Sequence, residues 1–258
     1  MKPVLFHLFG LQAASAPVFA GVAALSAYLY FKFRKRRLGL SDEDFWILMG
    51  TLAIGVFAGS VLFYAVFYGG GWTRNWDHWT SSHGIAGGAS MGTFAGAFAA
   101  LAAFCRWRRI PFGPLADATA AAGALGLVLM RVGCLLNGCD YGRPTAMRWS
   151  IVFTGPCAVP KSLRGIPLHP TQIYEGLASL AIFFFLAAWL QPKIDRAEWR
   201  HGDGALFFLL LYGTARFLLD FTRASDPGVW SPLGLNATQW VCAAAAVAAA
   251  GSLRWRRA

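Results

Sequence analysis

Charged side chains are scarce in this chain, and that scarcity excludes most soluble classes at once. Asp, Glu, Lys and Arg make up 14 % of its 258 residues, against about 25 % in a soluble domain. No stretch is left over from which an independent soluble domain could be built. Acidic residues are scarcer still, 12 against 23 basic ones. Cysteines number five, and Cys134-x4-Cys139 lacks the second pair of ligands that a zinc site needs. No internal repeat is evident, and the alanine-rich tail is the one low-complexity stretch.

Long hydrophobic runs take the place of charge. Hydrophobic residues amount to 57 %, and mean hydropathy is +0.48. Crossing a bilayer takes roughly 20 mostly apolar residues. About seven such runs fall near 13–31, 45–68, 84–104, 115–135, 171–190, 205–221 and 237–253. The expected fold class is therefore all-α: a polytopic membrane protein of about seven transmembrane helices, forming one integral-membrane domain over 1–258. The third, fourth and last runs are rich in Ala and Gly, which suits close helix packing more than lipid exposure. The apolar start to Phe31 could pass for a cleavable signal. Lys32–Arg37 follows it at once instead of a secreted domain, so a retained first helix is expected.

The basic residues orient the chain. When loops are assigned alternately, one side receives Lys32–Arg37, Arg106–Arg109, Lys193, Arg196, Arg200 and Arg254–Arg257, which hold 14 of the 23 basic residues. Positive charge in short loops marks the cytoplasmic side, so the amino terminus is expected in the periplasm and the carboxyl terminus in the cytoplasm. The net charge of +11 could suggest nucleic acid, but clusters at helix ends are explained by topology and anionic headgroups. A membrane is the expected partner and nucleic acid is not.

Two arginines break the pattern. Arg131 closes the fourth run and Arg216 interrupts the sixth. An arginine inside the membrane is costly and marks a functional site by default. The anion that would offset it is a carboxylate partner (Asp140, Glu175 or Asp220) or a lipid phosphate. On the same external side lie His83-Gly84, the frame Arg131-x-Gly133-x3-Asn137-Gly138-x3-Gly142-Arg143, and His169-Pro-Thr-Gln172-Ile-Tyr174-Glu175. Tyr212, Arg216, Asp220 and Arg223 are spaced four, four and three, which predicts one helix face. The segment within about 137–168 is long, holds Gly, Pro and Arg throughout, and includes the β-like piece Trp149–Thr154; it is expected to form a small periplasmic cap. The compartment allows a Cys139–Cys157 disulfide, and a small buried side chain is the plainer reading of Cys134.

These motifs, in this order and on one membrane face, resemble the prolipoprotein diacylglyceryl transferase family of the bacterial inner membrane, from about Pro3 to Gln239. The resemblance implies transfer of the diacylglyceryl group of phosphatidylglycerol to the thiol of a lipobox cysteine, with glycerol phosphate released. Its partners are then phosphatidylglycerol and the signal peptide of a prolipoprotein, and it needs neither metal nor organic cofactor. Carried over position by position, His83, Arg131, Arg216 and Tyr212 become candidate catalytic residues. Asn137, Gly142, Arg143, His169, Gln172, Tyr174, Glu175, Asp220 and Arg223 become candidate substrate-binding residues. Arg131 and Arg216 would face the phosphate, and His83 the thiol. The bland readings are a structural ion pair for each arginine, an interfacial residue for His83, and a helix-opening turn for His169-Pro170.

This chain departs from the family pattern at four places, the first being Ala13-Ala14-Ser15-Ala16-Pro17 where a Tyr-Gly is usual. Cys134 stands for an Asn, Cys139 for a Glu, and Gly59-Ser60-Val61 for a Gly-Ala-Arg. The exchanges leave two other readings open: a paralogue that uses the same lipid site for a different acceptor, or a non-catalytic protein that binds anionic lipid.

Overall fold

The computed structural model describes residues 4–8, 11–67, 90–224 and 232–256. Its long elements are helices: α1 (Ser15–Arg34), α2 (Asp42–Phe67), α3 (Ser90–Arg108), α4 (Phe112–Asn137), α5 (Thr171–Phe184), α6 (Gln191–Asp195), α7 (Asp203–Leu219) and α8 (Ala237–Trp255). A π-helical stretch, Phe185–Leu190, joins α5 to α6. Among the described residues, five segments are long and apolar enough to cross a membrane: Ser15–Arg34, Asp42–Phe63, Phe112–Asn137, Thr171–Asp195 and Asp203–Thr222. Helices α3 and α8, 19 residues each, lie where the third and seventh runs were expected. The chain is an all-α, multi-pass membrane protein. Its exposed Ile54, Phe57, Leu62 and Val66 on α2, with Leu25, Leu29 and Phe33 on α1, form a lipid-facing surface.

The helix of the first apolar run lies where it was expected, near 13–31, and two strands precede it. Val4–Leu8 (β1) and Leu11–Ala14 (β2) pair as an antiparallel hairpin, and helix begins only at Ser15. An unbroken apolar run looks alike in strand and helix, so hydrophobicity alone does not separate them.

Alanine and glycine decide how closely the helices approach. Helix α4 lies centrally against α1, α5 and α7, and it buries Ala116, Ala118, Ala120, Ala121, Ala122 and Ala124. Helices α2 and α3 cross through Gly55 and Gly59 on one and Gly92 and Gly96 on the other. A Cβ on Gly55 would lie 2.6 Å from the carbonyl oxygen of Gly96, and one on Gly59 would lie 2.6 Å from the Gly96 Cα. This is small-xxx-small packing, in which backbones touch because side chains are missing. Gly96→Ala is therefore expected to separate α2 from α3 at a cost of about 1–3 kcal/mol, read as a lower melting temperature in detergent.

The basic helix ends gather at one pole. Arg34 is joined to Asp195 at 2.8 Å, Arg37 to the same carboxylate at 2.6 Å, and Arg108 to Asp44 at 2.6 Å. Buried Asp117 near the start of α4 accepts the backbone N–H groups of Gly202 at 2.8 Å and Ala205 at 3.0 Å, fixing the start of α7.

At the opposite pole, the segment after α4 folds as a small cap. Ile151–Val152 (β3) pairs antiparallel with Pro167–Leu168 (β4), over a core of Phe153, Val159 and Leu168. The β-like piece seen in the sequence is present, shortened to two residues. Cys139 and Cys157 are both free thiols, so no disulfide clips the cap.

Candidate active site

The polar residues of the cap pole converge beneath the cap. Four helix ends meet there: the last turns of α4 and α7 and the first turns of α5 and α8. Glu175, one turn into α5 and 2 % exposed, is the centre. Its Oε1 accepts from Arg131 Nη2 at 2.7 Å and from the Tyr212 hydroxyl at 2.8 Å. Its Oε2 lies 3.9 Å from Arg216 Nε and 4.0 Å from Arg223 Nη1. Arg131 also donates to Asp140, and Arg216 to Asp220. Arg223 donates to Asp140 and sits 3.5 Å from Asp220. Three guanidiniums thus face three carboxylates, and the charges balance. A buried charge persists only when paired and hydrogen-bonded, and this network meets that condition.

Two donors are left over. The Nε–H groups of Arg131 and Arg216 are buried and have no hydrogen-bond partner among the described residues. An unmade bond on a buried cationic donor is costly, and for Arg216 Nε the carboxylate oxygen Glu175 Oε2 stays 3.9 Å away.

Short-range backbone geometry delivers the loop residues. Helix α4 ends at Asn137, and Gly138 adopts φ 79° as its cap. Asp140 then takes φ 57°, a left-handed conformation that Asp tolerates better than most residues. That turn sends its carboxylate back toward Arg131 and Arg223. Asn137 contributes its carbonyl, which accepts from Ala158 N at 2.9 Å and ties down the cap. Gly142 pairs with Arg223 in an isolated β-bridge, and a Cβ there would lie 2.6 Å from the His169 Cβ. Arg143 spans the same junction, its Nε donating to the Arg223 carbonyl at 2.8 Å.

One predicted relation is corrected. Tyr212 and Arg216 share a face of α7, but the helix ends at Leu219. Asp220–Thr222 is a 3-10 turn, and Arg223 is extended, with φ −81° and ψ 148°. Arg223 reaches the cluster through its bridge to Gly142 and not by helical spacing.

Other predicted residues lie beside the cluster. Gln172, 1 % exposed, donates to the Cys139 carbonyl at 2.7 Å. His169 and Tyr174 form a rim contact of 3.4 Å, and the Tyr174 hydroxyl accepts from Trp149 Nε1 at 2.6 Å. His83 lies outside the described residues. Asn236 was missed: it caps α8 in a reciprocal box with Gln239 and also donates to Asp220. Its signal was Asn236-Ala-Thr-Gln239, a helix-start pattern that says nothing of a second contact.

Burial pushes the Asp140 carboxyl up, but Arg223 and Arg131 together carry it well below the usual carboxylate range. A depressed carboxylate adds stability that is full above its unfolded pKa and is lost as pH falls through the folded value. The stability advantage of wild type over Asp140→Asn should therefore stay constant from pH 7 down to about pH 5 and shrink below about pH 4. Melting temperatures across that range test it.

The sequence model of the family described as prolipoprotein diacylglyceryl transferase matches residues 3–255. The chain belongs to that family. It is 31 % identical over 253 residues to the phosphatidylglycerol–prolipoprotein diacylglyceryl transferase of Idiomarina loihiensis, covering 93 % of this chain and 88 % of the relative. It is 30 % identical over 236 residues to the protein of that name from Geobacter sulfurreducens, covering 88 % and 84 %. The Cereibacter sphaeroides protein of that name is 35 % identical over 204 residues, covering 74 % of this chain. The match spans 65 % of that relative's length, just under two thirds. The carboxylate that meets both Arg131 and Arg223 comes from Asp140, one residue after Cys139.

Proposed function

We propose that this chain transfers the diacylglyceryl group of phosphatidylglycerol to the cysteine thiol of a prolipoprotein lipobox. The observation that carries the proposal is the convergence of Arg131, Arg216 and Arg223 on buried Glu175 in a member of this family. The names of the relatives point the same way.

In the proposed reaction the cysteine sulfur attacks the glyceryl carbon that carries the phosphate. A C–S bond forms and the C–O bond to phosphate breaks, its electron pair leaving with glycerol phosphate. The thiol proton passes to a base, for which His83 is the candidate. The leaving phosphate gains charge in a site already neutral, so it needs donors beyond the existing pairs. The Nε–H groups of Arg131 and Arg216 are such donors, held in place before reaction. Glu175, itself accepting from the Tyr212 hydroxyl, holds Arg131, while Asp220, braced by Asn236, holds Arg216. Gly142, Arg143 and Asn137 fix the cap, and His169, Gln172 and Tyr174 line its edge. Within a single membrane domain, with 137–168 as the cap, the site faces the periplasm of the bacterial inner membrane. The amino terminus lies on that side and the basic pole in the cytoplasm.

A second reading, a different acceptor on the same lipid site, is favoured by Cys134 and Cys139 in place of the family's Asn and Glu. Mass spectrometry separates the two. A lipobox peptide incubated with protein and phosphatidylglycerol should gain one diacylglyceryl mass, and its Cys→Ser version none. No gain on the cysteine peptide, from protein that binds the lipid, would overturn the first reading.

A further inference from the structure

Two thiols and a carboxylate come together at the edge of the arginine cluster. Cys134 lies on the last turn of α4, and Cys139 and Asp140 follow the left-handed cap at Gly138. The Cys139 N–H donates to the Cys134 carbonyl at 3.1 Å, which folds the segment back over the helix end. One ligand atom from each residue, two sulfurs and a carboxylate oxygen, then lie within 4.8 Å of one another. Cys134 is buried, Cys139 is half-buried, and both are free thiols.

The pair Cys134-x4-Cys139 is too few ligands for a structural zinc site, which closes with four. A catalytic zinc site takes three protein ligands and leaves the fourth position to water or substrate. Asp140, next in the chain, completes that three-ligand set. In a tetrahedron with zinc–sulfur bonds of about 2.3 Å the ligands stand roughly 3.8 Å apart, so the three atoms need to close by about 1 Å.

The surroundings suit such an ion. Thr171 donates to the Asp140 carbonyl at 2.6 Å and Gln172 to the Cys139 carbonyl at 2.7 Å, so the start of α5 holds the ligand loop in place. Arg131 Nη1 donates to the Cys134 sulfur at 3.9 Å, and Arg131 and Arg223 both donate to the Asp140 carboxylate. A carboxylate has about four lone-pair sites, so Asp140 can keep both arginines and still ligate. Outer partners of this kind orient metal ligands. Three guanidiniums already balance three carboxylates here. Two thiolates and one divalent cation add no net charge to that buried site. Thiolate ligands favour zinc over harder cations such as magnesium or calcium.

We infer that Cys134, Cys139 and Asp140 bind one zinc ion whose fourth position takes the acceptor thiol. The inference rests on the function proposed above and deepens it, because it says how the lipobox cysteine is activated. On reaching the metal, that thiol gives its proton to the base and stays bound as a thiolate. Its sulfur attacks the glyceryl carbon; the C–S bond forms, the C–O bond to phosphate breaks, and the electron pair leaves with glycerol phosphate. The thioether product is uncharged, a weaker ligand, and gives way to the next thiol.

The test uses cobalt(II) as a spectroscopic stand-in for zinc, on the full chain in detergent, reduced and treated with a chelator. One cobalt per chain should bind and give thiolate-to-metal charge-transfer absorption. Cys134→Ser and Cys139→Ser should each lose most of it, while Cys105→Ser, on α3 near the basic pole, should keep it; melting temperatures show that the variants are folded. A lipobox peptide should raise the absorption further, and its Cys→Ser version should not. Chelation should slow thioether formation about 10²-fold, the low end of what positioned proton removal contributes, and zinc should restore it. No cobalt uptake by the reduced protein, uptake unchanged by both cysteine substitutions, or full-rate transfer after chelation overturns the inference. Cobalt and peptide-thiol binding without any transfer upholds the site and removes the proposed function instead.

Discussion

Replacing Arg216 by alanine is expected to slow diacylglyceryl transfer by about 10²–10³-fold, the usual loss when a preorganised donor to a developing anion is removed. Arg216 is 5 % exposed and bonded to Asp220, and its Nε lies 3.9 Å from Glu175. It is therefore oriented before the lipid arrives. Arg216→Lys keeps the charge but loses the planar fork, and its rate should fall between the two. Initial rates at saturating phosphatidylglycerol are the readout, because a group that acts on the leaving phosphate moves kcat and not only KM. An alanine variant that is folded and transfers at the wild-type rate would remove Arg216 from the chemistry.

Glu175→Gln should be the most destabilising single change at the cap pole. It leaves three guanidiniums facing two carboxylates in a site where Glu175 is 2 % exposed. Breaking a buried pair by removing one charge costs about 3–5 kcal/mol, because the remaining charges stay uncompensated. The amide can still accept from the Tyr212 hydroxyl, so the loss is one of charge more than of shape. Thermal or denaturant unfolding in detergent measures it. If the variant melts with wild type, Glu175 is not the centre of the network.

Much of this site was legible in the sequence, because an arginine in an apolar run demands an anion. Asp140, Glu175 and Asp220 were the carboxylates within reach, and the structure pairs all three. The spacing of Tyr212 and Arg216 also told their shared face. Spacing failed at Arg223, because helical periodicity carries no sign of where a helix stops without glycine or proline. The dual role of Asn236 was hidden behind its capping pattern. Asp140 contributes through a left-handed backbone conformation that pattern reading does not reveal. Among the helices, Ala- and Gly-rich composition foretold close packing, but not that Gly55 and Gly59 would meet Gly92 and Gly96. The hairpin of β1 and β2 was concealed within a continuous apolar run.

The central claim is that the arginine cluster draws off a phosphate, so the bond broken is the one between phosphate oxygen and the diacylglyceryl carbon. The most direct measurement counts the water-soluble product beside the lipidated peptide, using phosphatidylglycerol labelled in its headgroup glycerol. Glycerol phosphate should appear one for one with the thioether, and neither should form without peptide. Free glycerol with phosphatidic acid, or glycerol phosphate released with no thioether, would contradict the account.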